Sequence, residues 1–543
     1  MAHFINSRQD IVADALDGLV AASGGALSRL DGYPFIRVVI RSNWDKSRVA
    51  VISGGGSGHE PAHAGYVGAG MLTAAICGDV FASPSVDAVL AGILAVTGKP
   101  GCVLIVKNYT GDRLNFGLAA ERARAFGLKV NMVIVQDDIA IPGLARPRGV
   151  AGTLLVHKIA GTFAERGGDL DAVTQAAQRA AAGAMSVGMS LDTCTVPGSI
   201  KENRILPGQI EVGLGIHGEP GAQTMPYSNA RQAVARVADA FAPRIQGQAH
   251  VAILNNLGST TALEMAILAK DLLQSPIGPA ISHIIGPATM MTALDMHGFS
   301  LTLYPLGDKD ADLLSADTDA QAWPGMKPFS APITVPLPVG IAPLPTTPSA
   351  NPAIEAILLR ICRALVAAEA DLNLLDAKSG DGDTGSTLAT AASSLIARKA
   401  LLPMADFTQL FRAISQELSQ SMGGSSGVLL AILFAATGDA LSQGMGLAAA
   451  LKIGLARVQE VGGAKSGDRT MIDALFPALE ALPQGLGEAA AAARAGANRT
   501  ATMLKAQAGR ATYVNSAQLS GHTDPGAEAV ARVFECLCNA LTA

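Results

Sequence analysis

Apolar and polar positions form two alternating patterns along the first 330 residues of the chain, one typical of strands and one typical of helices. Short runs rich in β-branched residues and bounded by Gly or Asn are typical of strands. They occupy residues 49–53, 102–107, 130–135 and 251–255. Longer stretches with helical spacing lie between them, for example at 114–126 and 260–273. This alternation predicts an α/β half with substantial parallel strand pairing, which divides into two α/β subdomains near residues 185–215.

A proline-rich stretch separates this half from a second one. Seven prolines stand between residues 332 and 352, which is typical of a semi-extended linker. From residue 353 onward, Ala/Leu-rich helical patterns are broken by Gly-rich loops, and strand signals are almost absent. We therefore predict an α/β domain at residues 1–331, a linker at 332–352 and an all-α domain at 353–543.

The composition indicates a globular protein and argues against some partners. Of the 543 residues, 49% are hydrophobic, 16% are charged and 59 are glycine, which is typical of a folded chain of several domains. The net charge is −5, and no basic stripe is interleaved with aromatic residues, so we expect no nucleic-acid partner. The six cysteines have no metal-binding spacing and are expected to be reduced thiols.

The sequence also carries expectations about location. The first 17 residues contain acids and lack the apolar core that a signal peptide needs. The longest apolar run, residues 428–437, is about half the length of a bilayer span. We therefore expect a cytoplasmic protein that does not interact with a membrane.

The densest cluster of chemical groups lies at residues 376–386. Asp376, Asp381 and Asp383 stand there with three glycines and three hydroxyl side chains. Carboxylates crowded in this way repel each other unless a cation lies among them, and Mg²⁺ prefers oxygen ligands. Gly and Ser/Thr donors beside a metal suit a polyphosphate, which indicates phosphoryl transfer. The alternative is a solvated Asp/Gly turn, while an EF-hand is excluded because no Glu ends a twelve-residue loop.

Three further Gly-rich loops interrupt the helical pattern of the second half, at residues 422–427, 462–471 and 524–527. Ser425 and Ser426 lead a helix, so their hydroxyl groups and free N–H groups could cap it or bind phosphate. Arg469 could stabilise charge on a transferring group. Helix capping explains each loop alone. When the three loops are considered together with the aspartates, a nucleotide site at one end of a helix bundle explains them better.

A glycine-rich segment in the first half points to a second site. Residues 53–63 follow a predicted strand and supply four glycines, two hydroxyls and two imidazoles, among them His59. Exposed N–H groups in a loop that leaves a strand favour anions. The segment is not a Walker A loop, because the terminal Gly-Lys-Ser/Thr is missing. A structural turn is the alternative.

Two more segments of the first half carry candidate chemistry. Lys107 stands at a strand end and could hold a phosphate, while Asp112 in the following loop could accept a hydroxyl proton. The alternative for Asp112 is an N-terminal charge at a helix start. His217 lies among glycines and a proline, and an uncrowded imidazole could act as a base, a metal ligand or a nucleophile. A lone surface histidine is the alternative there.

These motifs together resemble those of the dihydroxyacetone kinases over essentially the whole chain. In the first half they are Ser53-Gly-Gly-Gly-Ser-Gly-His-Glu-Pro61, Lys107-Asn-Tyr-Thr-Gly-Asp112, Gly215-Ile-His-Gly-Glu-Pro-Gly221 and Asn255-Asn-Leu-Gly258. In the second half they are Gly380-Asp-Gly-Asp-Thr-Gly385, Met422-Gly-Gly-Ser-Ser-Gly427, Gly467-Asp-Arg-Thr-Met471 and Asp524-Pro-Gly526. The motifs follow the family's order and are long, so the resemblance is specific.

The resemblance implies a single-chain kinase that transfers phosphate from ATP to dihydroxyacetone. It implies that His217 holds the substrate as a covalent hemiaminal, that His59 and Asp112 hold the substrate hydroxyls, and that Asp112 is the general base. The implied substrate contacts are Gly56, Ser57, Gly58, His59, Lys107, Asp112 and His217.

For the second half, the resemblance implies two Mg²⁺ ions on Asp376, Asp381 and Asp383 that carry the phosphates of ATP. The implied nucleotide contacts are Asp383, Thr384, Gly385, Ser386, Ser425, Ser426, Gly462, Arg469, Thr470, Met471, Asp524, Pro525 and Gly526. The family's nucleotide-binding half is a barrel of antiparallel helices, and homodimers are usual.

Other functions within reach of the same residues stay open. One is a relative that takes phosphate from a multiprotein transfer chain, against which the fusion of both halves argues. Another is a regulatory protein, which would be expected to lack the covalent histidine or the metal carboxylates. Glyceraldehyde phosphorylation and FAD cyclisation would use the same metal–phosphate site.

Overall fold

The computed structural model describes residues 3–245, 247–338 and 346–541. The chain forms two compact units, Met1–Thr334 and Val335–Ala543. Residues 339–345 of the predicted linker lie outside the described residues, so the linker at 332–352 stays a prediction.

The first half of the first unit is an α/β layer. Its elements are α1 (Ile11–Ala22), β1 (Leu27–Arg29), β2 (Val38–Arg41), β3 (Ala50–Ser57), β4 (Ala74–Val80), α2 (Val86–Val96), β5 (Cys102–Lys107), α3 (Thr110–Ala125), β6 (Val130–Val135), α4 (Thr153–Glu165) and α5 (Leu170–Gly183). Within residues 3–245 they form a six-stranded sheet in the order β1-β2-β4-β3-β5-β6. β3 pairs in parallel with β4 and β5, and β5 with β6.

This sheet is buried on both faces because alternate side chains of its central strands enter two different cores. Val103 and Ile105 of β5 pack on one face with residues of α4 and α5. Leu104 and Val106 pack on the other face with residues of α2 and α3. A strand covered on both sides reads as a continuous apolar run, and that is how residues 102–107 read in the sequence.

The rest of the first unit is a second, mainly antiparallel layer. Its elements are β7 (Met185–Ser190), β8 (Gln209–Val212), β9 (Gln223–Pro226), α6 (Ala230–Phe241), β10 (His250–Asn256), α7 (Ala262–Leu273), β11 (Ile281–Thr289), β12 (Gly298–Pro305), α8 (Asp308–Ser315) and β13 (Met326–Pro328). In the described part of this region, the strands form a seven-stranded sheet in the order β13-β11-β10-β12-β7-β8-β9. The two sheets confirm the expected pair of α/β subdomains.

The second unit is all-helical over residues 346–541. Its helices are α9 (Pro352–Ala367), α10 (Glu369–Asp376), α11 (Thr384–Ala397), α12 (Phe407–Ser421), α13 (Gly424–Ser442), α14 (Leu447–Gly462), α15 (Ile472–Ala481), α16 (Leu486–Thr500), α17 (Ser516–Leu519) and α18 (Pro525–Leu541). Each of eight helices contacts the next one in the order α9, α11, α12, α13, α14, α15, α16 and α18. The last helix, α18, also contacts the first, α9. The helices therefore close into a ring.

One described helix, Gly424–Ser442, has the length and composition that a membrane span requires, and 33% of its most apolar stretch is buried. It is longer than the apolar run at residues 428–437, which it contains. Core helices pass the same test, so the feature is weak evidence for a span. In this unit the helix packs between α12 and α14.

Candidate active site

The glycine-rich segment of the first unit is the end of a strand rather than a loop. β3 continues through the glycines to Ser57, so the expectation of a loop after residue 53 was wrong. Ser57 donates its hydroxyl to the carbonyl of Gly78 at 2.9 Å, which ties β3 to β4. At Gly56 a side chain would meet the backbone of Ala82 at 2.7 Å, so only glycine fits this approach.

His59 follows this strand end and is completely buried. Its Nδ1 lies 2.8 Å from the carbonyl oxygen of Thr292, which can only accept, so Nδ1 carries the proton. Nε2 has no hydrogen-bond partner among the described residues and is left as an acceptor. Burial, with the charge of Lys107 nearby, holds the pKa of His59 well below its usual range. His59 is therefore a neutral imidazole with one free lone pair.

His217 reaches the same place from the second sheet. It lies in the loop that joins β8 to β9, and its ring contacts three other rings edge-on. The ring centroids are 4.8 Å from His59, 5.4 Å from Phe81 and 4.5 Å from Tyr109. The two imidazoles that the sequence singled out are thus brought together by the two subdomains of one unit.

A carboxylate orients the His217 ring. Glu219 Oε1 lies 3.0 Å from His217 Nδ1, and Glu219 Oε2 accepts the backbone N–H of His217 at 3.0 Å. The carboxylate can only accept, so Nδ1 carries the proton and Nε2 keeps its lone pair. Glu219 lies within the motif at residues 215–221, and we predicted no role for it from the sequence. A carboxylate two residues from a candidate nucleophilic histidine was the signal that could have found it.

Lys107 and Asp112 face one point beside β3. Lys107 ends β5 and is completely buried, while Asp112 is 2% exposed in the first turn of α3. A side chain added at Gly55, whose φ is +152°, would lie 2.7 Å from Lys107 Nζ and 3.4 Å from Asp112 Oδ2. Asp112 therefore stands at a helix start, not in a loop as one interpretation of the sequence had it, and still faces the site. Ser83 donates to its other oxygen at 2.5 Å.

Lys107 has an unusual partner. Its Nζ lies 2.5 Å from Nε2 of His63 and 3.5 Å from the carbonyl oxygen of Gly54. Burial lowers the pKa of Lys107, and the nearby charge of Asp112 opposes this shift. His63 is buried, and burial with the charge of Lys107 holds its pKa well below the usual range, so it is neutral and accepts from the ammonium. No motif in the sequence indicates this pair.

In the second unit, the aspartate cluster lies between α10 and α11. Among the described residues, Asp376, Asp381 and Asp383 each offer one oxygen, and these oxygens lie within 4.8 Å of one another. Asp376 is buried, and its Oδ2 accepts the backbone N–H groups of Asp383 at 2.9 Å and Thr384 at 3.1 Å. The other two carboxylates are exposed.

Two kinds of contact surround the cluster: hydrogen bonds to α10, and an ion pair with an arginine that is distant in the sequence. Ser386 donates to Glu369 at 2.9 Å and accepts from Asn373 at 2.8 Å, so its hydroxyl already has partners. Arg510, from the segment between α16 and α18, pairs with Asp381. A guanidinium at this point marks the cluster as a place where positive charge is stabilised.

A second group of candidate residues lies where α15 and α18 begin. Arg469 is 1% exposed and donates to the carbonyl of His522 at 2.7 Å, but its Nε and Nη1 have no partner among the described residues. Burial raises the pKa of Asp524 to about 6, and the charge of Arg469 opposes the shift. A side chain at Gly526 would lie 3.2 Å from both Asp524 Oδ1 and Met471 Cβ, so these residues are neighbours.

The remaining predicted nucleotide contacts sit at helix ends. Ser425 and Ser426 are exposed in the first turn of α13, whose N-cap receives no side-chain hydrogen bond. Gly462 ends α14 and would meet Leu429 of α13 at 3.0 Å if it carried a side chain. Thr470 donates its backbone N–H to Asp473 at 2.8 Å, and Pro525 begins α18.

These residues fit a divalent cation and a phosphate-bearing ligand. Three carboxylate oxygens within reach of one ion are the ligand set that Mg²⁺ prefers. Two nitrogens of buried Arg469 have no partner among the described residues, and no side chain caps the start of α13, so both places offer N–H donors for anionic oxygens.

Two domain models of known families match this chain, one in each unit. The Dak1 domain model matches residues 17–322, and the DAK2 domain model matches residues 378–539. A dihydroxyacetone kinase of Citrobacter freundii is 49% identical over 543 residues, with 98% of each chain covered. A triokinase/FMN cyclase of Mus musculus is 40% identical over 577 residues, covering 99% of this chain and 98% of its own.

Solved structures give the same result. The crystal structure of the C. freundii dihydroxyacetone kinase in complex with AMP-PNP and Mg²⁺ matches with a TM-score of 0.69 and 47% identity, over 99% of each chain. A dihydroxyacetone kinase operon co-activator matches 57% of this chain with a TM-score of 0.53 and 31% identity. The kinase match thus extends over both units, whereas the co-activator match extends over little more than half of the chain.

Proposed function

The chain belongs to the dihydroxyacetone kinase family and is an ATP-dependent kinase that uses Mg²⁺, and we propose that it phosphorylates dihydroxyacetone while His217 holds the substrate covalently. The observation that carries the proposal is the free lone pair on His217 Nε2, since Glu219 engages the other ring nitrogen. A short ketone offers few groups for hydrogen bonds. A covalent bond to its carbonyl carbon therefore supplies the positioning that weak contacts cannot.

Two further side chains are suited to the substrate hydroxyls. His59 Nε2 is an unpartnered acceptor whose ring lies 4.8 Å from that of His217. Asp112 Oδ2 faces the site beside Lys107, so it is the general base in our proposal for the hydroxyl that attacks phosphorus. Gly56 and Ser57 would contribute backbone N–H groups and space, and Gly58 would contribute space only, because its N–H already donates to Glu60 at 2.9 Å.

In the second unit, Asp376, Asp381 and Asp383 would hold Mg²⁺. The nucleotide contacts would be Thr384, Gly385, Ser386, Ser425, Ser426, Gly462, Arg469, Thr470, Met471, Asp524, Pro525 and Gly526. When bound, the metal neutralises phosphate charge and orients the phosphoryl group for in-line transfer. The chain itself supplies three carboxylates, of which Asp376 is held by backbone N–H groups, and an arginine with two nitrogens that have no partner among the described residues.

Glyceraldehyde is a second candidate substrate. A relative named a triokinase is 40% identical over almost the whole chain. An aldehyde carbonyl can accept the same addition by His217, whereas glycerol has no carbonyl. The homodimer is proposed from the family resemblance, and the cytoplasmic location stays the expectation that was drawn from the sequence.

The test is a coupled assay of the purified protein with Mg²⁺ and ATP. We expect ADP release with dihydroxyacetone and none with glycerol, because the carbonyl is required; glyceraldehyde tests the second candidate. In native mass spectra, the wild type should gain the mass of one substrate, and His217→Ala should not. His297→Ala is the matched control, because His297 also pairs with a glutamate, at 2.8 Å, but stands outside the ring cluster. An adduct retained by His217→Ala would contradict the covalent role.

A further inference from the structure

Glu219 is committed entirely to His217. One carboxylate oxygen binds the ring Nδ1 and the other binds the backbone N–H of the same residue, each at 3.0 Å. Two contacts from one carboxylate to one residue fix both the direction of the ring and the course of the loop. The backbone N–H of Gly215 also donates to the carbonyl of Glu219 at 3.2 Å, which closes the loop on itself.

The surrounding residues are shaped to keep this carboxylate in place. A side chain at Gly215 would lie 1.9 Å from Glu219 Oε2, so only glycine leaves room for it. The same point is 2.8 Å from an Arg148 nitrogen, and Arg148 is anchored by Asp138 and by the carbonyl of Gly213. The bonds from His217 hold the pKa of Glu219 below its usual range although burial opposes this, so the group is an anion.

We propose that Glu219 is a positioning residue that fixes the His217 tautomer and stabilises the positive charge that develops on the ring when Nε2 bonds to the substrate. The inference rests on the proposed covalent role of His217 and extends it to a residue that touches neither substrate nor nucleotide. An imidazole without such a partner exchanges its proton between both nitrogens, and only the form with a free Nε2 can attack.

The bonding change balances as follows. The Nε2 lone pair forms a bond to the carbonyl carbon, and the π electrons of the C=O bond move to oxygen, which takes one proton. The ring then carries one positive charge until its Nδ1 proton passes to Glu219 or to water. The net change adds one nitrogen–carbon bond and one O–H bond, while the carbonyl π bond and the Nδ1–H bond are lost. An anion 3.0 Å from Nδ1 lowers the energy of the charged stage.

The direct test measures the tautomer rather than turnover. The full-length protein is labelled with ¹⁵N at the rings of its nine histidines, and the His217 signals are assigned by difference from His217→Ala. We expect one protonated Nδ1 and one unprotonated Nε2 in the wild type, and averaged shifts in Glu219→Ala. In Glu264→Gln, the shifts of His297 should change and those of His217 should not. An unchanged His217 spectrum in Glu219→Ala would overturn the inference.

Adduct affinity then separates the two roles of the carboxylate. Glu219→Gln keeps one oxygen acceptor and loses the charge, so we expect the dihydroxyacetone concentration for half-maximal adduct to rise roughly 10-fold, against roughly 100-fold in Glu219→Ala. Gly215→Ala, which forces the carboxylate away, should resemble Glu219→Ala. Adduct affinity equal to that of the wild type in all three variants would refute the positioning role of Glu219, while the covalent role of His217 would stand. A wild type that forms no adduct would instead contradict the proposed function itself.

Discussion

Two histidines of the candidate site in the first unit are kept neutral by their surroundings. His59 and His63 are both buried next to Lys107, and burial with that charge keeps each pKa well below its usual range. A neutral imidazole with one protonated nitrogen has a fixed acceptor on the other. The site thus uses imidazole rings as oriented acceptors, and His63 directs its acceptor at Lys107 Nζ at 2.5 Å.

This arrangement predicts that His63 positions Lys107. In His63→Leu, the buried ammonium loses an acceptor and can turn away from the point that it shares with Asp112. Loss of one hydrogen bond to a charged group costs about 1.5–3 kcal/mol, so we expect KM for dihydroxyacetone to rise roughly 10-fold or more. His63→Gln, which offers an amide oxygen, should restore part of this loss. Steady-state kinetics of both variants measures it.

His157→Leu is the control for this prediction. Its ring packs edge-on against His63 at 5.2 Å, but it has no hydrogen-bond partner among the described residues. If His157→Leu raised KM as much as His63→Leu, general packing rather than the contact to Lys107 would explain the effect.

The site residues that the sequence predicted lie inside local motifs. His59, Lys107, Asp112 and His217 each stand beside glycines or at a strand end, where chemistry is visible from spacing alone. The pairing of Lys107 with His63 joins residues 44 positions apart: Lys107 ends β5, and His63 follows β3, the strand that pairs in parallel with β5. No local pattern can indicate such a contact.

At the scale of elements, the strand predictions at 102–107 and 130–135 coincide with β5 and β6. The glycines after residue 53 were assigned to a loop because glycine disfavours strands. They lie in β3 because the neighbouring strand β4 passes too close for a side chain. At Gly54, an added Cβ would lie 2.2 Å from the carbonyl oxygen of Ile76. Tertiary packing decided this boundary, and propensity could not.

The connection from β6 to α4 contains a pH-dependent element. Asp137 is completely buried and accepts the backbone N–H groups of Val150 and Gly152, each at 2.8 Å. Burial raises its pKa from 3.8 to about 6. The folded chain therefore binds this proton more tightly than the unfolded chain, so the stabilisation is present below pH 4 and is lost as the pH rises through 6.

We expect this group to make the free energy of unfolding about 1 kcal/mol larger at pH 5 than at pH 7.5. Asp137→Asn cannot titrate, so the difference in stability between wild type and variant should itself change by that amount between the two pH values. Urea unfolding of both proteins at both pH values measures this change, and other titrating groups cancel. An identical difference at pH 5 and pH 7.5 would show that Asp137 does not titrate in this range.

The two halves of the whole molecule were recognisable in the sequence because their patterns differ in kind. The region with alternating strand and helix signals forms two sheets in the unit that ends at Thr334. The region with continuous helical spacing forms a helical ring in the unit that begins at Val335. The closure of that ring by α18 against α9 was implied only by the family resemblance. Periodicity predicts helices but carries no information on which helices are neighbours.

The division of labour between the units predicts that the two chemical steps can be removed separately in the full-length chain. Asp381→Ala should remove Mg²⁺-dependent ATP turnover, because the cluster loses one of its three carboxylates. The dihydroxyacetone adduct should persist, since His217 and its partner Glu219 lie in the other unit. His217→Ala should show the reverse, with nucleotide binding by calorimetry unchanged and the adduct lost. Asp371→Ala, which removes an exposed carboxylate of α10 outside the cluster, is the matched control. Turnover retained by Asp381→Ala would place the metal elsewhere, and loss of the adduct in that variant would show that covalent capture depends on the nucleotide unit.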